Sequence, residues 1–426
     1  MPDGWHTTRP LRAWIGYDIA SSVYFGVFPT LLFPLYFRAY LDGGPAAELH
    51  WGLTAAAAAI LAGLLAPALG AAADRHASRW GLLFVLTLLC CVATASVALL
   101  PGGAMLAGVL LFVVAHASYT LAMSLYDSCL PHIAPPARVG QISGLGWGLG
   151  FLGGITAIVA IMPLASSAPA AEGHDAGLRW SFAVIAALYL LFAIPALAGL
   201  RAAPTHPVAA TTANPFRTAW RTLRGWREQR ALFQFLLAYY LINDGIVTVI
   251  FFAALYLRAS FGVGVAELLG LALLYHLLAL PATIAFGWLA DRWTHRKATF
   301  LSLGIWCAAI LLMAFGTARW VPATVVVLFA MVLGSTQSLL RSEFARLVPA
   351  ARSAEFFGFN TLAGRLSVAL GPVVFGVVAH ATGSQRIALL SVLLFLLAGA
   401  AVLARIPDQR PAAVNKADTA TAPGSA

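Results

Sequence analysis

The sequence repeats one short charged turn, Gly70-Ala-Ala-Ala-Asp74-Arg75-His-Ala-Ser-Arg79, at Gly287-Trp-Leu-Ala-Asp291-Arg292-Trp-Thr-His-Arg296-Lys297. The two aspartates are 217 residues apart (291 − 74), which is close to half of the 426 residues. Each copy stands between two apolar stretches that are long enough to cross a bilayer. The pattern therefore predicts a duplicated membrane unit with a charged turn at the same place in each copy.

A second pair of matching segments supports the duplication. Pro135-Pro-Ala-Arg138-Val-Gly-Gln141-Ile-Ser-Gly144 opens the fifth apolar stretch, and Pro349-Ala-Ala-Arg352-Ser-Ala-Glu355-Phe-Phe-Gly358 opens the eleventh. They are 214 residues apart (352 − 138), within three residues of the first offset. Two independent matches at nearly one offset predict a 6+6 pseudo-repeat.

The composition is that of a membrane protein. Hydrophobic residues make up 61% of the chain and charged residues 10%, with a mean hydropathy of +0.85. Soluble chains carry about a quarter charged residues. Apolar runs long enough to cross a bilayer recur throughout, so we predict an all-α membrane protein with 12 transmembrane helices. The predicted spans are roughly 13–37, 51–73, 81–100, 104–127, 139–163, 180–200, 231–257, 266–290, 298–317, 321–341, 355–380 and 386–405.

The distribution of basic residues predicts the orientation. The chain has a net charge of +10. With both termini placed inside, the inner segments hold 20 Lys and Arg against 5 in the outer ones, leaving Arg365 within a span. This bias predicts a cytoplasmic-membrane protein with both termini in the cytoplasm. It also explains the positive balance without a nucleic-acid partner.

The chain divides into two predicted bundles, a connection and a tail. The predicted bundles are residues 1–200 and 231–406, the connection is 201–230 and the tail is 407–426. We expect the Ala/Thr/Pro-rich tail to be disordered. Within the connection, Trp220, Leu223 and Trp226 alternate with arginines. An amphipathic helix on anionic lipid and a solvated linker both fit this pattern.

No pattern indicates an enzyme, a cofactor or a metal site. The four cysteines form no C-x-x-C pair: Cys90, Cys91, Cys129 and Cys307. The glycines at 146, 150 and 154 recur every four residues inside an apolar stretch, which indicates helix packing and not a nucleotide-binding turn. Phosphate-loop, H-E-x-x-H and G-x-S-x-G motifs are missing from the sequence.

The repeated turn suggests a gate. Glycine at its start allows close approach of another helix, and the aspartate can face the N-terminal end of that helix. We expect its arginines to anchor to lipid headgroups. A plain positive-inside loop is the alternative. The predicted gate residues are Gly70, Asp74, Arg75, Arg79, Gly287, Asp291, Arg292 and Arg296.

Ionisable residues inside spans suggest a substrate or coupling site, because they are costly in a membrane. The candidates are Asp18, Asn243, Asp244, Asn360 and Arg365. A lone buried arginine needs a carboxylate partner, and Asp18 and Asp244 are available to Arg365. Capping of helix ends is the alternative for the two aspartates. His116 and His276 are interpreted as hydrogen-bonded, neutral core histidines, with protonation as the alternative. Asp127 and Arg341 are either gate residues or interfacial charges.

Several stretches run in order through nearly all of the chain and carry a family resemblance. They include Trp14-Ile-Gly-Tyr17-Asp18-Ile-Ala-Ser21-Ser22 and Tyr240-Leu-Ile-Asn243-Asp244-Gly245-Ile-Val-Thr248. The others are at 143–154, 337–342, 355–358 and 383–386. With the repeated turn, they resemble the vacuole-effluxer-like branch of the major facilitator superfamily. Four positions depart from the pattern: Ala77 and Thr294 replace the glycine of the superfamily turn, and Ile19 and Ser21 replace the Trp and Asn of the branch.

The resemblance implies a secondary transporter that works by alternating access. In that fold, spans 1, 4, 7 and 10 line a central cavity, and the turns brace the closed inner gate against spans 5 and 11. We expect a monomer that moves a small polar solute, with amino acids as candidates by analogy, and that couples to protons. A drug or hydrophobic-metabolite extruder with a cavity lined by Tyr24, Tyr239, Tyr240 and Trp306 is one alternative. A non-transporting membrane sensor is the other.

Overall fold

The computed structural model describes residues 8–42, 44, 46–76, 79–166, 176–202, 214–262, 265–368 and 370–407. Within these ranges, 12 helical segments are long and apolar enough to cross a membrane. The prediction of 12 transmembrane helices is therefore confirmed.

The first six spans are long helices with one irregular member. The first span begins as α1 (Arg9–Phe25) and continues through π-helical turns at Phe28–Leu32 and Phe37–Leu41. Pro29 and Pro34 lack the N–H that a regular helix needs, which accounts for the irregular stretch. The next five are α2 (Ala47–His76), α3 (Arg79–Ser96), α4 (Met105–Asp127), α5 (Val139–Ser166) and α6 (Ala176–Leu200).

The last six spans follow a short helix in the connection, α7 (Pro215–Arg224). They are formed by α8 (Arg230–Phe261), α9 (Val265–Arg292), α10 (His295–Phe315), α11 (Val321–Leu347), α12 (Ser353–Leu366) with α13 (Leu370–Thr382), and α14 (Gln385–Ala404). The eleventh span was predicted as one helix over 355–380, and the structure divides it. Pro372 favours a break here, because it has no N–H to donate to the carbonyl four residues earlier and its ring crowds the preceding turn.

The predictions for the connection and for the tail have different outcomes. A helix does form in the connection, and the Asn214 side chain caps it by accepting a hydrogen bond of 2.9 Å from the Phe216 amide. The tail that we predicted to be disordered lies, from residue 408 onward, outside the described residues.

Two close helix pairs join the N-terminal spans to the C-terminal spans. Helix α2 packs along α12, and α5 packs along α9. The pairs are equivalent in the repeat, since α9 corresponds to α2 and α12 to α5. Small residues line both contacts, as expected where helices approach closely in lipid. Both contacts lie near Asp74 and Asp291, and we call this side of the protein the charged end.

Aromatic packing fixes α1 against α4 near the charged end. The rings of Trp14 and Tyr126 stack with centroids 4.7 Å apart. The Trp14 indole donates to the Tyr126 carbonyl at 3.0 Å, and the Tyr126 hydroxyl donates to the Trp14 carbonyl at 2.9 Å. This reciprocal pair sets the position of Asp18, one turn further along α1.

Candidate functional site

Asp74 joins the end of α2 to the start of α12. Its carboxylate accepts hydrogen bonds from the backbone amides of Ala354 at 3.1 Å and Glu355 at 2.9 Å. Both amides belong to the first turn of α12, where no intrahelical partner exists. Asp74 is only 4% exposed, and Arg79 pairs with it at 2.5 Å. The negative charge is thus held by a helix N-terminus and by a guanidinium.

Asp291 makes the equivalent contact on the other side. Its two oxygens accept from the amides of Gly140 at 2.9 Å and Gln141 at 2.7 Å, in the first turn of α5. The two pairs of donating amides are related by the repeat offset of 214 (354 − 140). Each bundle therefore presents one carboxylate to a helix start in the other bundle.

The glycines of the turn permit these contacts. A Cβ on Gly70 would overlap the carbonyl of Ala354, and a Cβ on Gly287 would overlap the carbonyl of Gly140. Both obstacles are backbone atoms, which cannot move aside as a flexible side chain can. Any larger residue at these positions would hold the helices apart.

The arginines of the turn do not share one role. We expected all four to anchor to headgroups, but Arg79 and Arg296 are 6% and 9% exposed. Arg296 donates to Glu343 at 2.9 Å and to the Ile406 carbonyl at 2.6 Å. A buried guanidinium requires partners inside the protein, and that requirement overrides the snorkelling that the sequence suggested.

The other two arginines of the turn lie nearer the surface. Arg75 donates to the Thr218 hydroxyl of α7. The Arg292 guanidinium lies over the Trp288 ring, 4.7 Å from its centroid. Only the exposed Arg292 has the surroundings that we expected of a headgroup anchor.

A third contact between the bundles is centred on Arg341 of α11. Its guanidinium pairs with Asp18 at 3.1 Å and with Asp127 at 3.2 Å. It also donates to the Ser143 hydroxyl at 3.0 Å and to the Ser143 carbonyl at 2.9 Å. Its acceptors all come from the N-terminal spans, so Arg341 is a second type of link at the charged end.

Two tryptophans enclose this arginine. The Arg341 guanidinium carbon is 4.6 Å from the Trp14 ring centroid and 5.4 Å from that of Trp147. Arginine prefers such stacking over aromatic faces. Of the two sequence interpretations for Asp127 and Arg341, this geometry favours gate residues.

Arg365 does not pair with either aspartate that the sequence offered. Asp18 is held by Arg341, and Asp244 accepts from the Gly371 amide at 2.9 Å. Arg365 instead donates to the Thr120 hydroxyl of α4 at 2.8 Å. No carboxylate in the described part of the chain forms an ion pair with it. The expected pairing was wrong because it assumed that the chain must supply the counter-charge.

Arg365 lies deep in the protein, between the two bundles. It is twelve residues after Ser353 (365 − 353), or about 18 Å at 1.5 Å per residue. Its electrostatic neighbours are the hydroxyls of Tyr24, Tyr119 and Tyr239. Hydroxyl groups are therefore among the described neighbours of this half-buried cation. Its distance along α12 is comparable to half the thickness of a bilayer's hydrocarbon core.

Unsatisfied polar atoms occur on the same two helices, α4 and α12. Among the residues that the structure describes, Asn360 Oδ1 and His116 Nδ1 have no hydrogen-bond partner. His116 stacks on the rings of Phe112 and Tyr119, at centroid distances of 5.5 and 6.2 Å. Buried polar atoms without partners are uncommon in proteins, and a bound solute is one way to satisfy them.

Asp244 lies beside the break in the eleventh span. One oxygen accepts from Gly371, the second residue of α13, and the other oxygen is buried without a partner in the described part of the chain. The neighbouring Asn243 donates to the Ser367 hydroxyl at 2.7 Å and accepts from Gln337 at 2.9 Å. The break thus brings a half-satisfied carboxylate and a small amide network together.

Several of these residues were missed by the sequence argument. Glu343 lies outside the repeated segments, and Ser143 is matched by Phe357 in the other copy. The roles of both residues depend on which helices are neighbours. The sequence did offer one signal for Glu343. A carboxylate at the end of a span needs a cationic partner, and Arg341 and Arg346 show that this end of the span is rich in ionic groups. Trp306, predicted to line the cavity of an extruder, is fully buried and donates to the Thr336 hydroxyl at 3.1 Å.

The sequence matches one family over most of its length. The family model described as "Vacuole effluxer Atg22 like" matches residues 52–139 and 136–415. The uncharacterised MFS-type transporter YxiO of Bacillus subtilis (strain 168) is 30% identical over 417 residues, covering 94% of this chain and 96% of that protein. Autophagy-related protein 22-1 of Aspergillus niger is 26% identical over 276 residues, which cover 58% of this chain and 44% of the fungal protein.

Solved structures share the fold at low sequence identity. The human organic anion transporter MFSD10 (TETRAN) superimposes with a TM-score of 0.72 at 17% identity, covering 93% of this chain and 98% of that one. The proton:xylose symporter XylE has a TM-score of 0.68 at 14% identity, covering 94% and 95%. At this identity the likeness concerns the fold alone. The family match and the bacterial relative decide the classification: the chain belongs to the vacuole effluxer Atg22-like family, within the major facilitator superfamily of transporters.

Proposed function

We propose that this protein is a monomeric, proton-coupled secondary transporter that moves a small carboxylate-bearing polar solute, with amino acids as the leading class. It works in the cytoplasmic membrane with both termini in the cytoplasm. Two bundles, 1–200 and 231–406, rock about a central site, and the charged end is the inner gate. The description of the matched family as vacuole effluxers supports transport of a metabolite.

Arg365 is the observation that carries this proposal. A guanidinium near the bilayer centre is costly, and this one has hydroxyls and no carboxylate among its described partners. An arginine can bind a carboxylate through two parallel charge-assisted hydrogen bonds. The incoming solute would supply the missing negative charge. The nearby Asn360 oxygen could accept a hydrogen bond from an ammonium group.

The three contacts at the charged end support alternating access. Each is made by a few charged or polar groups, and the helix pairs beside Asp74 and Asp291 pack through small residues. A hydrogen bond that involves a charged group contributes about 1.5–3 kcal/mol. A gate held by a few such bonds can be opened by the differential binding of one small solute, since shifts of a few kcal/mol are sufficient.

Asp244 is the proposed site of proton coupling. Its unpartnered oxygen is buried, and a carboxylate in that position is stable only when it is protonated or reached by water. Rearrangement at the break between α12 and α13 would change the access of water to this oxygen. Helix breaks near the bilayer centre are where transporters place ion sites.

Solute flux tests the function. Purified protein in proteoliposomes should move radiolabelled amino acids under an imposed pH gradient. Arg365→Ala should abolish flux and Arg365→Lys should retain part of it, because lysine keeps the charge but loses the two-pronged geometry. Arg319→Ala, at an exposed arginine, is the matched control. Undiminished flux in Arg365→Ala would overturn the site, and lack of flux in the wild type for every amino acid would overturn the solute class.

The extruder is a weaker candidate. Tyr24 and Tyr239 do lie near Arg365, but Trp306 packs inside the C-terminal bundle and cannot line a cavity. A preference for hydrophobic cations would also conflict with the positive charge of Arg365. The same proteoliposomes distinguish a sensor, which would bind solute without moving it.

A further inference from the structure

Helix α7 carries three different stripes of side chains. At 100° per residue, one side is apolar, the next is basic and the side opposite the apolar one is made of threonines. The apolar stripe consists of Phe216, Trp220 and Leu223. The basic stripe consists of Arg217, Arg221 and Arg224, and the threonine stripe of Thr218 and Thr222. The apolar side chains are exposed by 60%, 53% and 40% in chain order. Such exposure of large apolar side chains on one stripe calls for a covering surface.

The threonine stripe bonds to both bundles at once. Thr218 accepts a hydrogen bond from Arg75, at the end of α2. Thr222 donates to Glu355 at 2.5 Å and accepts from Arg352 at 2.6 Å, at the start of α12. These are the two helices that Asp74 joins. Separation of α2 from α12 therefore requires α7 to release one of them.

The attachment of α7 is polar and open to water. A cavity of about 400 Å³ remains behind the helix, lined by residues such as Asp74, Arg221, Glu228 and Gln229. Ala219 is the one buried apolar residue of α7, so most of the attachment is polar. A few hydrogen bonds in contact with water contribute little net stability, so a second surface is needed to keep the helix docked.

The composition of the segment identifies that surface as a bilayer with anionic lipids. Five arginines and one glutamate occur in residues 215–230. Arg224 lies over Trp220 at 5.1 Å, and Arg227 lies over Trp226 at 5.5 Å. Helices with an aromatic stripe beside a basic stripe lie in the headgroup region and favour anionic lipid. The helix also stands at the charged end, where the spans leave the membrane.

We propose that α7 binds the anionic lipid surface through its aromatic and basic stripes and, in that position, clamps α2 to α12. Anionic lipid then favours the closed state of the charged end. The consequence for transport rests on the alternating-access function proposed above. The clamp itself can be measured without any transport.

Hydrogen–deuterium exchange of the full chain in nanodiscs tests the clamp. The probe is pure phosphatidylcholine compared with phosphatidylcholine mixed with phosphatidylglycerol. In the wild type, the anionic mixture should slow exchange several-fold at 215–226 and at 353–360. Equal exchange in the two lipids at either segment would overturn the proposal and favour a solvated linker.

Two double variants separate the surfaces of α7. Arg217→Gln with Arg224→Gln should remove the lipid effect at both segments. Thr218→Val with Thr222→Val should keep it at 215–226 and remove it at 353–360. The control, Arg12→Gln with Arg405→Gln, removes two exposed charges away from α7 and should keep both effects. A lipid effect at 353–360 that survives either α7 variant would overturn the clamp, whatever the flux assay shows.

Discussion

Single carboxylates join the two bundles at the charged end. Asp74 and Asp291 each accept the first two amides of a helix in the opposite bundle. These amides have no partner in their own helix, and the positive end of the helix dipole adds to the attraction. One residue in each bundle therefore supplies a charged, directional contact that forms only when the helices are close.

Neutralisation of one aspartate should open both sides of the gate. In Asp74→Asn the amide oxygen can still accept one bond, but the charge is lost, at a cost of about 1.5–3 kcal/mol. Alternating access requires both contacts to open together, so hydrogen–deuterium exchange should also rise at the start of α5, residues 139–144, which Asp74 does not touch. Asp42→Asn, in a loop outside the gate, is the control. Exchange that rises only at α12 would contradict a gate that opens as a unit.

Loss of the Asp244 charge should uncouple transport from protons. Asparagine has the shape of a protonated aspartate and can still accept the Gly371 amide. Asp244→Asn should therefore exchange solute in counterflow assays but fail to accumulate it under a pH gradient. Asn243→Asp is not a usable control because it adds a charge, so Asp42→Asn serves again. Accumulation equal to that of the wild type would exclude Asp244 from coupling.

Close helix pairs set the geometry of the gate at the scale of elements. Gly70→Ala places a methyl group into the backbone of α12 and should keep α2 from seating. Alkylation of Cys129 reports this, because Cys129 is 7% exposed and its neighbour Ser128 bonds to Ser353 of α12 at 2.9 Å. In a background with the other cysteines replaced, Gly70→Ala should be alkylated several-fold faster.

A matched glycine on the same helix provides the control. A Cβ on Gly52 of α2 meets nothing within 4 Å, so Gly52→Ala should leave alkylation unchanged. The same effect in both variants would mean that helix propensity, and not the close contact, governs the gate.

Local sequence patterns predict elements better than they predict partners. The spans and the repeated turn follow from hydropathy and from a fixed offset, both of which can be read along one chain. Proline chemistry alone does not place the break near Pro372, because other prolines lie inside continuous helices: Pro67, Pro163, Pro195 and Pro281. The pairing of Asp18 with Arg341 depends on which helices are neighbours, and so does the lack of a carboxylate beside Arg365. No local rule contains that information.

The whole molecule consists of two repeats that differ in the side chains near the centre of the protein. The repeat relates Asp74 to Asp291 and the start of α5 to the start of α12, which gives a gate of matching contacts. Position 151, equivalent to Arg365, is Phe151. We interpret the shared features as the mechanism and the differences as the solute and coupling sites.

A reversible lock on the charged end tests this account most directly. The hydroxyls of Ser143 in α5 and Ser338 in α11 are 3.1 Å apart, so cysteines there can form a disulfide between the bundles. In a background free of native cysteines, oxidation of Ser143→Cys with Ser338→Cys should stop amino-acid flux, and reduction should restore it. Each single variant should be indifferent to oxidant. Flux that continues when the pair is fully cross-linked would contradict alternating access through the charged end.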